Sequence, residues 1–338
     1  MPTRSGYSRP PSDLLIDPCG RTIDYLRVSI TDLCNLRCVY CRPPQGLPLM
    51  SHDEILRYEE ILAFIEVARD MGVRKIRVTG GEPLVRRGVL EFISRLTAME
   101  GIEDIGLTTN GVRLAGMARA LREAGLKRLN VSLDSLRRET FRAITGGDHL
   151  PAVLAGIEAA FAEGFHPVKI NVVLLRQFNE ADVPAFARLT LEKPVDVRFI
   201  ERMPFGGEAV PFPPKPFSAR EVLGIVENQV GPLTPVPRDP LDGPATMFTL
   251  AGAKGRIGII DPISGHFCGT CNRLRLTAAG RLRPCLLGDQ EIDVRSALRR
   301  GASREELVDI IRLAVLSKPG GRGSTDTRMA DSMSRIGG

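Results

Sequence analysis

Tyr25-Leu26-Arg27-Val28-Ser29-Ile30 and, one helix-length later, Lys75-Ile76-Arg77-Val78-Thr79 decide the fold. Both alternate apolar with polar side chains, and neighbours on a strand point to opposite faces. Leu26, Val28 and Ile30 oppose Arg27 and Ser29; Ile76 and Val78 oppose Lys75, Arg77 and Thr79. The segment between them reads as a helix. Ser51 and Glu54 make a capping box, Ile55, Tyr58, Leu62 and Ile65 recur at helical spacing, and Gly72 follows the end. The alternation repeats to about Arg202, with strands at Ile105 to Thr109, Leu129 to Leu133, Val168 to Leu174 and Val195 to Ile200. Val131 and Leu133 oppose Asn130, Ser132 and Asp134, and Ile170 and Val172 oppose Lys169 and Asn171.

Repeated β/α units predict parallel strands. The fold class is α/β, an incomplete (β/α)6 barrel of TIM type with a smaller C-terminal region. Apolar faces pack under outer helices and polar faces look inward. A closed eight-stranded barrel fills its interior with branched apolar side chains, so a wider barrel with a cationic lumen suits this pattern better. An open sheet with one solvated face would give the same alternation.

A chain of 338 residues with 43% hydrophobic and 25% charged residues can fold a large core. The polar, Pro-rich start from Met1 to Pro18 lacks a secretory apolar core, and no apolar run is long enough for a bilayer. A soluble, cytoplasmic protein is expected. The 46 Lys and Arg against 40 Asp and Glu are scattered, which suits an anionic small molecule as well as nucleic acid. Past Pro204 come Pro-rich runs at Pro211 to Pro216 and up to Pro244, with a helical stretch around Glu221 to Val226 and another around Arg304 to Ser317. Residues 1–20 are read as an extension, 21–230 as the barrel and 231–338 as a second region.

Six of the seven cysteines form two distant triplets, which points to metal rather than disulfides; Cys19 stands alone. Cys34, Cys38 and Cys41 follow the first strand, at the end where parallel barrels build their sites. Three thiolates suit an iron–sulfur cluster with one open iron. A structural zinc would need a fourth ligand, and His52 is the candidate at usual spacing. For Cys268, Cys271 and Cys285, spacing alone leaves a cluster and a Cys3His zinc site completed by His266 both open.

Cys34-Asn35-Leu36-Arg37-Cys38-Val39-Tyr40-Cys41 resembles the signature of the radical S-adenosylmethionine enzymes, and Gly80-Gly81-Glu82-Pro83 resembles their glycine-rich segment. Cys271-Asn272-Arg273-Leu274-Arg275-Leu276-Thr277, with Gly280-Arg281-Leu282 and Cys285-Leu286, is similar to the second-cluster motif of the GTP 3',8-cyclase family. That resemblance runs from about Asp24 to Gly338. It implies a lyase of molybdenum-cofactor biosynthesis with two [4Fe–4S] clusters and S-adenosylmethionine, the second region carrying the second cluster. It also implies the mechanism: a 5'-deoxyadenosyl radical would take the ribose 3' hydrogen, and the carbon radical would attack C8 of guanine.

The resemblance assigns Arg27, Arg77, Thr108, Lys169, Arg273, Leu274 and Arg275 to GTP, with Arg273 and Arg275 catalytic. Tyr40, Gly81, Ser132 and Met203 go to S-adenosylmethionine, and Lys75 and Arg198 face plausible directions. It further implies an external electron donor, a downstream cyclic pyranopterin monophosphate synthase, a homodimer, and no nucleic-acid or membrane partner. The terminal Gly337-Gly338 would reach into the site. Lys318-Pro319-Gly320-Gly321-Arg322 departs from the family's usual version, which often carries a histidine. Peptide-modifying radical enzymes also carry C-terminal clusters, generally with more cysteines, and an electron-transfer module gains nothing from an open iron.

Overall fold

The computed structural model describes residues 14–42, 46, 48–203, 205, 217–237, 243–265, 267–321 and 333–337. Six parallel strands come first: β1 (Tyr25–Ser29), β2 (Lys75–Thr79), β3 (Asp104–Thr109), β4 (Arg128–Ser132), β5 (Val168–Leu174) and β6 (Val195–Glu201). Helices α1 (Tyr58–Asp70), α2 (Val89–Thr97), α3 (Ala118–Glu123), α4 (Arg138–Thr145), α5 (Leu150–Ala162) and α6 (Val183–Glu192) connect them. Leu26, Val28, Ile76, Val78, Val131 and Ile170 join Phe64, Phe92 and Phe186 in the core between sheet and helices. Each fully buried apolar side chain of that size stabilises the fold by about 1.5–3 kcal/mol.

The segment after α7 (Ala219–Gln229) extends this sheet at both edges rather than forming a separate one. On one side β6 is followed by β9 (Arg256–Ile260), β8 (Thr246–Leu250) and β7 (Leu233–Val236); on the other β1 is followed by β10 (Arg273–Leu276), β11 (Arg281–Arg283) and β12 (Ile292–Asp293). Both β9 and β10 run parallel to their neighbours. The parallel run is therefore β10-β1-β2-β3-β4-β5-β6-β9, and its two ends do not pair with each other among the described residues. This is the incomplete barrel that the alternation predicts, wider by two strands from the C-terminal segment. Helices α8 (Arg295–Arg299), α9 (Arg304–Leu316) and the short α10 (Met333–Ile336) follow, and α9 packs back on α1.

The first helix starts later than its sequence suggests. The Ser51–Glu54 capping box forms around one 3-10 turn, His52–Glu54, after which Ile55 is extended (φ −103°, ψ 139°). The α-helix begins at Tyr58, where Glu60 reaches back to the Arg57 N–H at 2.7 Å. The break lets Leu56 donate to the Ala278 carbonyl at 2.9 Å, which ties the helix start to the turn after β10. Among the described residues no helix is long and apolar enough to cross a membrane.

Candidate active site

Register turns the alternation into rows. Arg275, Arg27 and Arg77 are neighbours on β10, β1 and β2, and the next position, on β3, is Gly106. A Cβ there would sit 1.7 Å from Arg77 Nη1, so the glycine makes room for that guanidinium. One row nearer the second cysteine triplet stand Arg273, Tyr25, Lys75 and Asp104; one row nearer the first stand Ser29 and Thr79. The far wall carries Thr108, Asn130 and Lys169, then Ser132, Asn171 and Arg198. Apart from Ser29, Gly106 and Asp104, these residues line a cavity of about 310 Å³ that also reaches all six triplet cysteines.

Positive charge in this space is poorly balanced. Burial, then repulsion from Arg27 and Arg273, holds Arg275 well below its usual pKa. Burial, then Arg77, lowers Arg198 to about 10. Lys75 has Asp104 at 3.2 Å and Lys169 has Asp196 at 3.8 Å, but Asp196 is taken more closely by Arg256 at 2.7 Å. Arg77 Nη1 and Asn130 Oδ1 are buried without a hydrogen-bond partner. Such groups cost about 1–3 kcal/mol each unless a ligand satisfies them.

The first triplet sits on a loop docked to the end of α4, where Arg37 and Val39 donate to the Thr145 and Ile144 carbonyls at 2.8 and 2.9 Å. The glycine-rich segment packs flat against the chain leading into Cys34. Gly81 N–H donates to Thr31 O at 2.7 Å, and a Cβ on Gly81 would lie 2.3 Å from Leu33 O. Two residues that the sequence reading did not single out fix this arrangement. Glu82, buried, accepts from Thr109 Oγ1 at 2.7 Å and Asn110 N at 2.6 Å; Asn110 Nδ2 in turn faces Cys34 Sγ at 3.7 Å. Their signal lay in the motifs Gly80-Gly81-Glu82-Pro83 and Thr109-Asn110-Gly111, but only the fold shows that they meet. Tyr40 donates its hydroxyl to Asp134 Oδ2 at 2.7 Å, and burial raises that carboxyl to about 6.

At the second triplet, Cys271 N–H donates to the Cys268 carbonyl at 3.1 Å, and the Arg273 guanidinium lies over the Phe267 ring at 4.9 Å. Burial pushes the Cys271 thiol up, but Arg273 and Lys318 outweigh it and bring it to about 6. A thiolate is the form that binds metal. Among the described residues no three His, Cys, Asp or Glu side chains gather closely enough for a single metal ion. Three thiols in each triplet, all six on one cavity, are the donor set of iron–sulfur clusters. His266, the fourth ligand of the zinc alternative, lies outside the described residues, as do Pro211 to Pro216.

Of the sequence-predicted contacts, Arg27, Arg77, Thr108, Lys169, Arg273, Arg275, Tyr40, Gly81, Ser132 and Met203 line the cavity. Leu274 does not. Strand parity sends its side chain into the hydrophobic core, 2% exposed, so it can offer the cavity only backbone. The tail does enter. Ile336 is buried against Phe205, Met203 and Leu286, and Arg275 Nη1 donates to Gly337 O at 3.0 Å. Gly337 has φ +83°, and a Cβ there would lie 2.8 Å from Ser29 Cβ. Gly338 lies outside the described residues.

Residues 28–190 match the Radical SAM superfamily and residues 195–323 match Molybdenum Cofactor Synthesis C. A GTP 3',8-cyclase of Heliobacterium modesticaldum is 50% identical over 327 residues, covering 96% of this chain and 100% of that protein. The chain belongs to the GTP 3',8-cyclase family. A second GTP 3',8-cyclase, from Moorella thermoacetica, is 48% identical over 95% of this chain and 99% of its own. Membership makes the chain a radical S-adenosylmethionine enzyme with [4Fe–4S] clusters and S-adenosylmethionine as cofactors. Streptococcus suis SuiB bound to S-adenosylmethionine shares the fold at 13% identity, with a TM-score of 0.60 over 82% of this chain and 64% of that one. Native anSMEcpe with bound AdoMet shares it at 17% identity, with a TM-score of 0.58 over 85% and 81%.

Proposed function

We propose that this chain converts GTP to (8S)-3',8-cyclo-7,8-dihydroguanosine 5'-triphosphate with release of 5'-deoxyadenosine and methionine, as a first step toward molybdenum cofactor. The observation that carries this reading is the cationic cavity with a cysteine triplet at each end. Cys34, Cys38 and Cys41 would hold one cluster and Cys268, Cys271 and Cys285 the other. When bound, the first cluster with S-adenosylmethionine supplies the 5'-deoxyadenosyl radical that takes the ribose 3' hydrogen. Gly81, Tyr40, Ser132 and Met203 would seat S-adenosylmethionine and keep water from it. Arg27, Arg77 and Lys169 would take the triphosphate by charge-assisted hydrogen bonds, each about 1.5–3 kcal/mol. Arg273 and Arg275 would orient the guanine end, with Thr108 at the far wall. In this reading residues 21–230 form the radical-generating barrel and 231–338 extend it at both edges. An external one-electron donor, a downstream pyranopterin monophosphate synthase, a homodimer and a cytoplasmic setting belong to the same proposal.

The test is anaerobic reconstitution followed by incubation with GTP, S-adenosylmethionine and a strong reductant. 5'-Deoxyadenosine and the cyclised nucleotide are expected in equal amounts. Iron at about eight per chain with neither product would overturn the cyclase reading.

Tyr25 gives this site a pH dependence. Burial alone would raise its phenol, but Arg77, Arg27 and Lys75 outweigh it and lower it from 10.0 to about 7. A depressed pKa means that ionisation stabilises the empty fold fully above the unfolded value and less as pH falls toward the folded one. Above about 7 the phenolate would serve as a resident counter-charge that incoming phosphates have to displace. GTP affinity should fall by up to about tenfold per pH unit above that folded value, relative to Tyr25→Phe at the same pH. Parallel pH profiles for the two proteins, measured by titration calorimetry, would refute the counter-charge role.

A further inference from the structure

The second triplet is assembled from stretches far apart in the chain: Cys268 and Cys271 before β10, Cys285 after β11, and the segment at Lys318 beyond α9. Two buried cations bind these stretches together. Lys318, 5% exposed, donates from Nζ to the Arg273 carbonyl at 2.7 Å and the Pro284 carbonyl at 2.8 Å. Arg21, 8% exposed, donates from Nη1 to the Cys268 carbonyl at 2.6 Å and from Nη2 to the Pro319 carbonyl at 2.7 Å, while its Nε meets Asp17 Oδ2 at 2.5 Å. Every acceptor except Asp17 is main chain. Each lies on a ligand, within two residues of one, or next to Lys318 itself.

The two cations differ in what balances them. Arg21 is neutralised by Asp17, which also orients its planar fork. Lys318 has no carboxylate at ion-pair distance among the described residues, and its charge is felt by Cys271 and Cys285, whereas Arg21's charge reaches Cys268 with Asp17 beside it to offset it. A compact ammonium can bond two converging carbonyls from one point, which a guanidinium cannot do in the same space.

We propose that Arg21 and Lys318 are positioning residues for the second [4Fe–4S] cluster, Arg21 by geometry and Lys318 by geometry and charge together. The proposal rests on the reading that Cys268, Cys271 and Cys285 hold that cluster. A cluster on three thiolates carries negative charge, and reduction adds more. A fixed ammonium beside it favours the reduced form and raises the reduction potential.

The experiment uses the anaerobically reconstituted full chain, with iron content, chelator challenge and EPR-monitored redox titration as readouts. Lys318→Met should surrender the second cluster's iron to chelator about 10- to 100-fold faster and move its potential negative. Lys318→Arg should recover the potential but not the retention. Arg21→Met, made together with Asp17→Asn so that no carboxylate is left unpaired, should lose iron at a similarly raised rate with little change in potential, and Arg21→Lys should recover only part of the retention. The first cluster, retained at about four irons per chain, serves as the internal sign that a variant has folded. Wild-type retention and potential in both Met variants would overturn the proposal, and so would equal loss of both clusters, which would mark a general folding role. Should the unaltered chain hold only about four irons, with Cys268→Ser changing nothing, the cluster reading itself fails and the brace falls with it.

Discussion

Gly81→Ala is expected to cut cyclase turnover by about a hundredfold or more and to lower iron retention at the first triplet. The added methyl would lie 2.3 Å from Leu33 O, 2.7 Å from Asp32 O and 2.7 Å from Leu33 C, all of them backbone. No rotamer change relieves such a clash. The chain at 31–33 must move, and it leads directly into Cys34. Overpacking of this kind costs about 1–3 kcal/mol in a core that can shift. Here the displaced segment carries Cys34, a ligand in the proposed site, and a misplacement of about 1 Å is enough for a hundredfold loss. Gly116→Ala is the control, because its Cβ would meet nothing within 4 Å and should leave activity unchanged. Normal iron content and turnover in the Gly81 variant would mean that the close approach has no bearing on the site.

Arg275→Met should lower kcat/KM by about a thousandfold, split between two losses. One is the proposed charge-assisted bond to substrate, worth about 1.5–3 kcal/mol or roughly ten- to a hundredfold. The other is the grip on the Gly337 carbonyl that seats the tail. Removing Gly337-Gly338 alone should cost about tenfold or more, since the carbonyl that Arg275 holds and the seat of Ile336 beside Phe205 would go with it. In the tail-less background Arg275→Met should then cost less than in the full chain, because the second loss has already been incurred. Strictly additive effects would separate Arg275 from the tail.

The inward cations were legible because period-two alternation is a local property of each strand: Arg27, Arg77 and Lys169 stand on the cavity wall as parity requires. Leu274 shows the same rule working against a motif-based assignment, since its parity matches Leu276 and not Arg273. The late start of α1 was hidden because Ser51 and Glu54 do form their capping box, and only the Leu56 bond to Ala278 shows why the helix does not continue from it. Strands β9 and β10 were missed as barrel members because their partners β6 and β1 are remote in sequence. Glu82, Asn110 and Arg21 are ordinary polar residues until the fold brings their acceptors to them. Pairing of that kind leaves no periodic trace.

The parallel pairing of β1 with β10 fixes a length. The first triplet follows the C-terminal end of β1, and the second precedes the N-terminal end of its partner, with Tyr25 opposite Arg273. The two proposed cofactor seats are thus ruled off by one five-residue strand, roughly 17 Å at the usual rise. Loops can drift and side chains can be exchanged, but the rise of an extended backbone is set by bond lengths. This gauge selects what can span the chamber: a molecule touching both ends must be about as long as a strand of five residues, whatever the wall between them is made of.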